Sequence, residues 1–171
     1  MQITIYQNTK ILNSYEIGLK INRLAWEIYE DNLKQKNIIL IGISGRGEKL
    51  AEKIYDILIK ISSINIQLGS IELNKDFPFR HPISVTPSNV QYTDEKVVLV
   101  DDVLNSGKTL MYACKYFLNT SLHSLSTVVL VERTHNRFPI KANFVGLSLA
   151  TTLQEYIKVI LEGDGQGVYL C

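Results

Sequence analysis

The chain has 171 residues, 46% of them hydrophobic, which suffices for one substantial core and is short for two, so residues 1–171 are expected to form a single domain. Charged residues make up 20% and nearly cancel at net +1, which excludes a global field drawing in a polyanion; any nucleic-acid contact must come from a local patch. Two cysteines, Cys114 and Cys171, and three scattered histidines, His81, His123 and His135, exclude a disulfide framework and argue against a structural zinc site.

The opening residues, Met1 to Asn8, lack a basic region followed by a long apolar stretch, and no later run approaches the ~18 apolar residues of a membrane span. A cytoplasmic protein without membrane contact is expected. Asn13 and Glu16 have capping-box spacing, and Ile17, Ile21, Leu24 and Ile28, with Ala25 beside them, then recur as one face of a helix. The run Ile38 to Ile41 reads as a strand. It ends in a glycine loop, Gly42 to Gly47, after which Leu50, Ala51, Ile54, Leu58 and Ile61 return to helical spacing. Ile64 to Leu68 alternates as a strand, and Ile71 to Leu73 extends it. From Asn74 to Glu95 periodicity fails and Pro78, Pro82 and Pro87 interrupt polar residues, so this long loop is expected to be a flexible lid. Val97 to Val100 is an apolar strand, followed by a helix from Gly107 to about Leu118 with Leu110, Ala113 and Phe117 on one face. Ser126 to Val131 and Phe144 to Leu149 read as further strands, and Tyr156 to Leu161 with Val168 to Leu170 as a hairpin about a glycine-rich turn. Continuously apolar strands alternating with helices predict an α/β fold, a mostly parallel sheet covered on both faces, with ligands at the carboxyl ends of its strands. Tyr15, Tyr29, Tyr55 and Tyr116 fall in helices, where half-buried packing is their expected use, and Trp26 is read as core or interface.

The chemistry concentrates after the strand Val97 to Val100. Two carboxylates, Asp101 and Asp102, are followed by Asn105, Ser106, Gly107, Lys108 and Thr109, which open a helix. Main-chain N–H groups at a helix start, a glycine permitting close approach and two hydroxyls suit a phosphate monoester. The adjacent acids can accept hydrogen bonds from a pair of sugar hydroxyls, so a ribose 5-phosphate fits the spacing. A nucleoside-triphosphate P-loop needs glycine five positions before Gly107, where Asp102 stands. A dinucleotide fingerprint starting at Gly45 needs a third glycine where Leu50 stands. The plain alternative is that the two acids merely end a strand in water.

At these residues the sequence resembles the type I phosphoribosyltransferases, whose signature is an apolar strand, two acids, two apolar residues and a short Thr/Ser-Gly loop. The resemblance implies a central sheet flanked by helices, a small hood and a flexible loop. It implies that Asp101 and Asp102 hold the ribose hydroxyls of phosphoribosyl diphosphate (PRPP), and that Asn105 to Thr109 wrap its 5′-phosphate. The earlier loop, Ser44, Gly45, Arg46 and Gly47, looks like the family's diphosphate loop; a solvated arginine in an ordinary tight turn is the alternative there. The catalytic candidates are accordingly Asp101, Asp102 and Arg46. Mg2+ is the implied cofactor, held near Asp101 and Asp102 mainly through PRPP and water.

The wider chain, from about Ile11 to Leu170, looks most like the pyrimidine-operon attenuators that double as uracil phosphoribosyltransferases, through segments such as Val98 to Leu104, Val129 to His135 and Phe144 to Gly146. This implies PRPP and a nucleobase as partners, a homo-oligomer (a dimer), and a base or hood wall including Arg133 and Val145. Asn105 stands where 6-oxopurine enzymes carry an aspartate, which disfavours that subclass. Asn136 and Leu147 stand where the attenuators tend to be basic, so RNA is the weaker expectation and an RNA-binding regulator with little catalysis the alternative.

Overall fold

The structure is a computed structural model describing residues 9–152 and 155–171; the opening stretch read for a leader lies outside the described residues. A strand, β1 (Thr9–Asn13), runs directly into α1 (Ser14–Asp31). The capping box forms as its spacing predicts, with Glu16 N–H donating to Asn13 Oδ1 at 2.9 Å and Asn13 N–H to Glu16 Oε2 at 2.8 Å. The helix buries Ile17, Ile21, Leu24, Ala25 and Ile28. The chain continues through β2 (Asn37–Ile43), α2 (Arg46–Ile61), β3 (Asn65–Glu72), β4 (Ser84–Thr86), β5 (Lys96–Leu104) and α3 (Lys108–Phe117). It ends with β6 (Ser124–Arg133), β7 (Phe144–Leu149), β8 (Ile157–Ile160) and β9 (Gly167–Leu170).

Six strands form one sheet in the order β4-β3-β2-β5-β6-β7, parallel throughout except for β4, which lies antiparallel on β3. Successive side chains of a strand point to opposite faces, and the buried strands divide accordingly. Leu40, Val98, Val100 and Leu130 pack with α1 and α2 through Leu24, Ile28, Leu50, Ile54 and Leu58. Ile39, Ile41, Leu99 and Val129 pack with α3 through Leu110, Ala113 and Phe117 on the other face. A second, antiparallel sheet, β1-β9-β8, places Leu12, Ile157, Val159 and Val168 in the same core as α1 and α2, and forms the hood.

Four differences from the sequence reading bear on the site. β5 runs through Leu104, so the two acids lie within the strand and not beyond its end. α2 begins at Arg46, which makes Gly45 its N-cap and draws Gly47 into the helix. The stretch read as a lid from Asn74 to Glu95 contains β4, and its second half is packed: Val85 is buried, and Ile83, Val90 and Tyr92 rest against the α3-side core. These packed residues leave only Asn74–Pro82 of the stretch open to the lid role expected of it. Lastly, the residues just before the first helix, to which the sequence assigns no element, form β1, because their hydrogen-bond partners are in β9 at the far end of the chain.

Candidate active site

The chain steps outward from β2 to β3 on one side, then returns to place β5 on the other side of β2. The loops leaving β2 and β5 therefore diverge, one into α2 and one into α3 on the opposite face. Such a switch point opens a crevice at the carboxyl ends of the strands. A cleft of about 350 Å³ lies there, lined by Arg46, Asp101, Asp102 and the whole run Val103 to Leu110, with Lys75, Asp76, Arg137, Tyr156 and Ile157 closing its sides.

Both helices facing this crevice start on glycine. Gly45 (φ 93°) caps α2 and Gly107 (φ 84°) caps α3, and neither cap supplies a side-chain hydrogen bond. These left-handed conformations favour glycine, and they leave main-chain N–H groups at two positive helix ends free for anions. Between them lie Asp101 and Asp102, 5% and 3% exposed. Arg46 Nε donates to Asp102 Oδ2 at 2.5 Å, and the Asp102 N–H donates to Asp101 Oδ1 at 2.9 Å. Burial first, and then the neighbouring Asp102 charge, push the Asp101 carboxyl up to about 8, with Lys75 drawing it partly back. Of the first loop, Arg46 alone lines the cleft. Ser44 donates its N–H to Ile71 O at 2.9 Å, and Gly45 faces open space. Gly47 is a packing residue: a Cβ there would stand 2.8 Å from Val100 O and 3.1 Å from Asp101 Oδ1, so glycine lets α2 approach the acid strand.

In the second loop, Asn105, Ser106, Gly107, Lys108 and Thr109 all line the cleft. Lys108 Nζ donates to the main-chain carbonyl of Asp76, joining this loop to the segment after β3. Arg133, read as a site wall, braces the loop from outside the cleft lining. It donates to Asn105 Oδ1 at 2.5 Å, Thr151 Oγ1 at 2.6 Å and Thr152 O at 2.8 Å. Val145 lies apart from the cleft on β7, where its carbonyl accepts from Arg23 at 2.9 Å. Lys75, Asp76, Arg137 and Tyr156 were not among the site residues read from sequence. They belong to segments remote from the motifs, and no local pattern marks them.

Two carboxylates are too few for a protein-only metal cage, and among the described residues no group of three or more His, Cys, Asp or Glu is placed to hold a metal. The donor set fits Mg2+ bound through one or two carboxylates together with substrate phosphate and water.

The family model described as "Phosphoribosyl transferase domain" matches residues 7–160. The chain is 33% identical to the "Bifunctional protein PyrR" of Leuconostoc mesenteroides, over 93% of this chain and 95% of that protein. It is 35% identical to a protein of the same name from Streptococcus equi, over 91% and 92% of the two chains. Among solved structures, the hypoxanthine phosphoribosyltransferase of Trypanosoma cruzi superposes with a TM-score of 0.78 over 95% of each chain, at 16% identity. A hypoxanthine-guanine phosphoribosyltransferase from Bacillus anthracis gives a TM-score of 0.71 over 88% and 86%, at 18% identity. At these identities the two structures show the shared fold alone.

The fold is that of a type I phosphoribosyltransferase, and the chain belongs to the phosphoribosyltransferase family. Within it, the sequence relatives above are the PyrR proteins.

Proposed function

We propose that this chain transfers the phosphoribosyl group of PRPP to uracil, giving UMP and diphosphate. The observation that carries this reading is the buried acid pair set between two glycine-capped helix starts. The spacing offers one anion site on each side of a pair of hydroxyl acceptors, which is the layout of a ribose phosphorylated at both ends. In this reading Asn105 to Thr109 and the α3 start take the 5′-phosphate, Asp101 and Asp102 accept the ribose hydroxyls, and Arg46 with the α2 start meets the diphosphate.

The bond between the anomeric carbon and the diphosphate oxygen breaks, its electron pair leaving with diphosphate, while positive charge spreads over the ribose ring. A base nitrogen bonds to that carbon and its proton is released to water. The carboxylates below the ring favour this charge, and the cations at the rim favour the leaving group. Mg2+, when bound, neutralises diphosphate charge, and its binding favours the ionised form of Asp101. Tyr156 and Ile157, at the hood end of the cleft, offer an aromatic and an aliphatic wall for the base. The lid segment excludes water when it closes over the cleft.

The test is UMP formation from uracil, PRPP and Mg2+, beside PRPP binding by the Asp101→Asn, Asp102→Asn double variant. Losing charge-assisted bonds should cost about 1.5–3 kcal/mol each. Unchanged PRPP affinity would show the site to be misplaced, and turnover of another base in place of uracil would keep the reaction class and discard the substrate.

A second reading, regulation of pyrimidine genes through RNA, is favoured by the relatives being named bifunctional. His135, Arg137 and Lys141 supply a few positive or titratable groups in one stretch, against a chain net charge of +1. Filter binding of pyrimidine-leader RNA at two salt concentrations tests it, since phosphate contacts weaken steeply with salt. Tight leader-specific binding with no UMP formed would reverse the ranking.

A further inference from the structure

We propose that Arg137 is a specificity residue for the 5′-phosphate end of the ligand, a guanidinium that the phosphate motif itself does not contain. The proposal rests on the phosphoribosyltransferase reading of the cleft and names a residue which that reading leaves unused. Arg137 lies four positions beyond β6, where the chain crosses back over the phosphate loop. The main-chain N–H groups of Arg137 and Phe138 both donate to Ser106 O, at 3.1 and 3.0 Å. A Cβ on Gly107 would stand 2.6 Å from Ile140 Cγ2 and 3.3 Å from Phe138 Cβ, so the crossing segment lies directly on the loop. This pins the backbone of Arg137 beside the helix start that faces the cleft.

The Arg137 side chain lines the cleft and, among the described residues, makes no hydrogen bond or ion pair. Three other cations nearby differ in this respect. Arg46 is held by Asp102, Lys108 donates to the Asp76 carbonyl, and Arg133 is committed to Asn105, Thr151 and Thr152. Lys75 comes from the lid side, where its charge acts on Asp101. Arg137 is therefore the cation on the phosphate-loop side with its donors free. Main-chain amides and a helix end together present about half a unit of positive charge. A phosphate monoester dianion carries nearly two, and a planar guanidinium meets two of its oxygens at once, which a lysine cannot do. The chemical class so selected is the 5′-phosphorylated ribosyl compound, whether PRPP, ribose 5-phosphate or a nucleoside monophosphate.

The experiment compares wild type, Arg137→Ala, Arg137→Gln and Arg137→Lys of the full chain by calorimetry, with ribose 5-phosphate, UMP and Mg2+-diphosphate as separate probes. The two neutral variants should weaken ribose 5-phosphate and UMP by about 10- to 100-fold and leave diphosphate unchanged. Arg137→Lys should recover part of the loss. In turnover, KM for PRPP should rise well beyond KM for the base. Equal weakening of all three probes would mean that the crossing segment merely supports the loop, and would overturn the proposal. So would unchanged ribose 5-phosphate binding in the neutral variants while wild type still binds PRPP, an outcome that spares the family reaction. Wild type that binds neither PRPP nor UMP would bring down the function reading and this proposal together.

Discussion

Asp101 holds a carboxyl in a place that disfavours its charge, and the consequence is measurable. Its folded-state value of about 8 lies above the ordinary 3.8, so between these values the folded chain holds a proton that the unfolded chain has lost. Stability from this group is therefore largest at the acid end and declines as pH rises through about 8. In metal-free protein, Asp101→Asn should gain Tm relative to wild type as pH is raised from about 5 to about 9, and a pH-independent difference would contradict the assignment. Gly107→Ala should lose about 1–3 kcal/mol, because alanine meets both the positive φ and the Ile140 side chain; urea unfolding reads the loss. The acids and Gly107 are legible in the sequence because contiguous residues carry their chemistry. The burial of Asp101 is not, since α2 covers it through Gly47, and Arg137 and Tyr156 reach the cleft only through long-range folding.

Helices were the elements most open to reading from residues alone. α1, α2 and α3 each repeat an apolar face over two or more turns, and α1 also states its own start. Asn13→Ala removes that cap and should lower stability by about 1 kcal/mol, seen as a shifted denaturant midpoint at unchanged slope. β4 and β1 went unread for a shared reason: they have three and five residues, and their hydrogen-bond partners are supplied by β3 and by β9. Neither segment shows a clear apolar period of its own. Arg133 links three elements, the end of β6, the phosphate loop and the stretch at Thr151 and Thr152. Arg133→Ala should weaken PRPP binding by loosening Asn105, while costing about 0.5–1.5 kcal/mol of stability from the lost hydrogen bonds, since the freed oxygens reach water. Binding calorimetry beside a melting curve separates the two effects, and wild-type PRPP affinity in this variant would remove the bracing role.

Across the whole molecule, the two sheets share the core beneath α1 and α2, and the cleft opens where the main sheet's loops part beside the hood. The segment Asn74–Pro82 adjoins it through Lys75 and Asp76. Phe79 is 63% exposed, whereas Ile83, Val85, Val90 and Tyr92 are packed, so a protease cutting after aromatic residues should act at Phe79, within Asn74–Pro82, and spare Tyr92. PRPP with Mg2+ should slow that cleavage; cutting first at Tyr92 would contradict the boundary. The reaction class was within reach of the linear chain, because an apolar strand, two acids and a glycine loop are contiguous and their spacing belongs to the backbone of one strand and one turn. The α/β class followed for a similar reason, from local periods of apolar residues. Strand order, the hood's first strand and the far walls of the cleft required the folded chain. Those features depend on which remote segments meet, and that is settled by pairing and burial summed over the whole core rather than by any pattern within a segment.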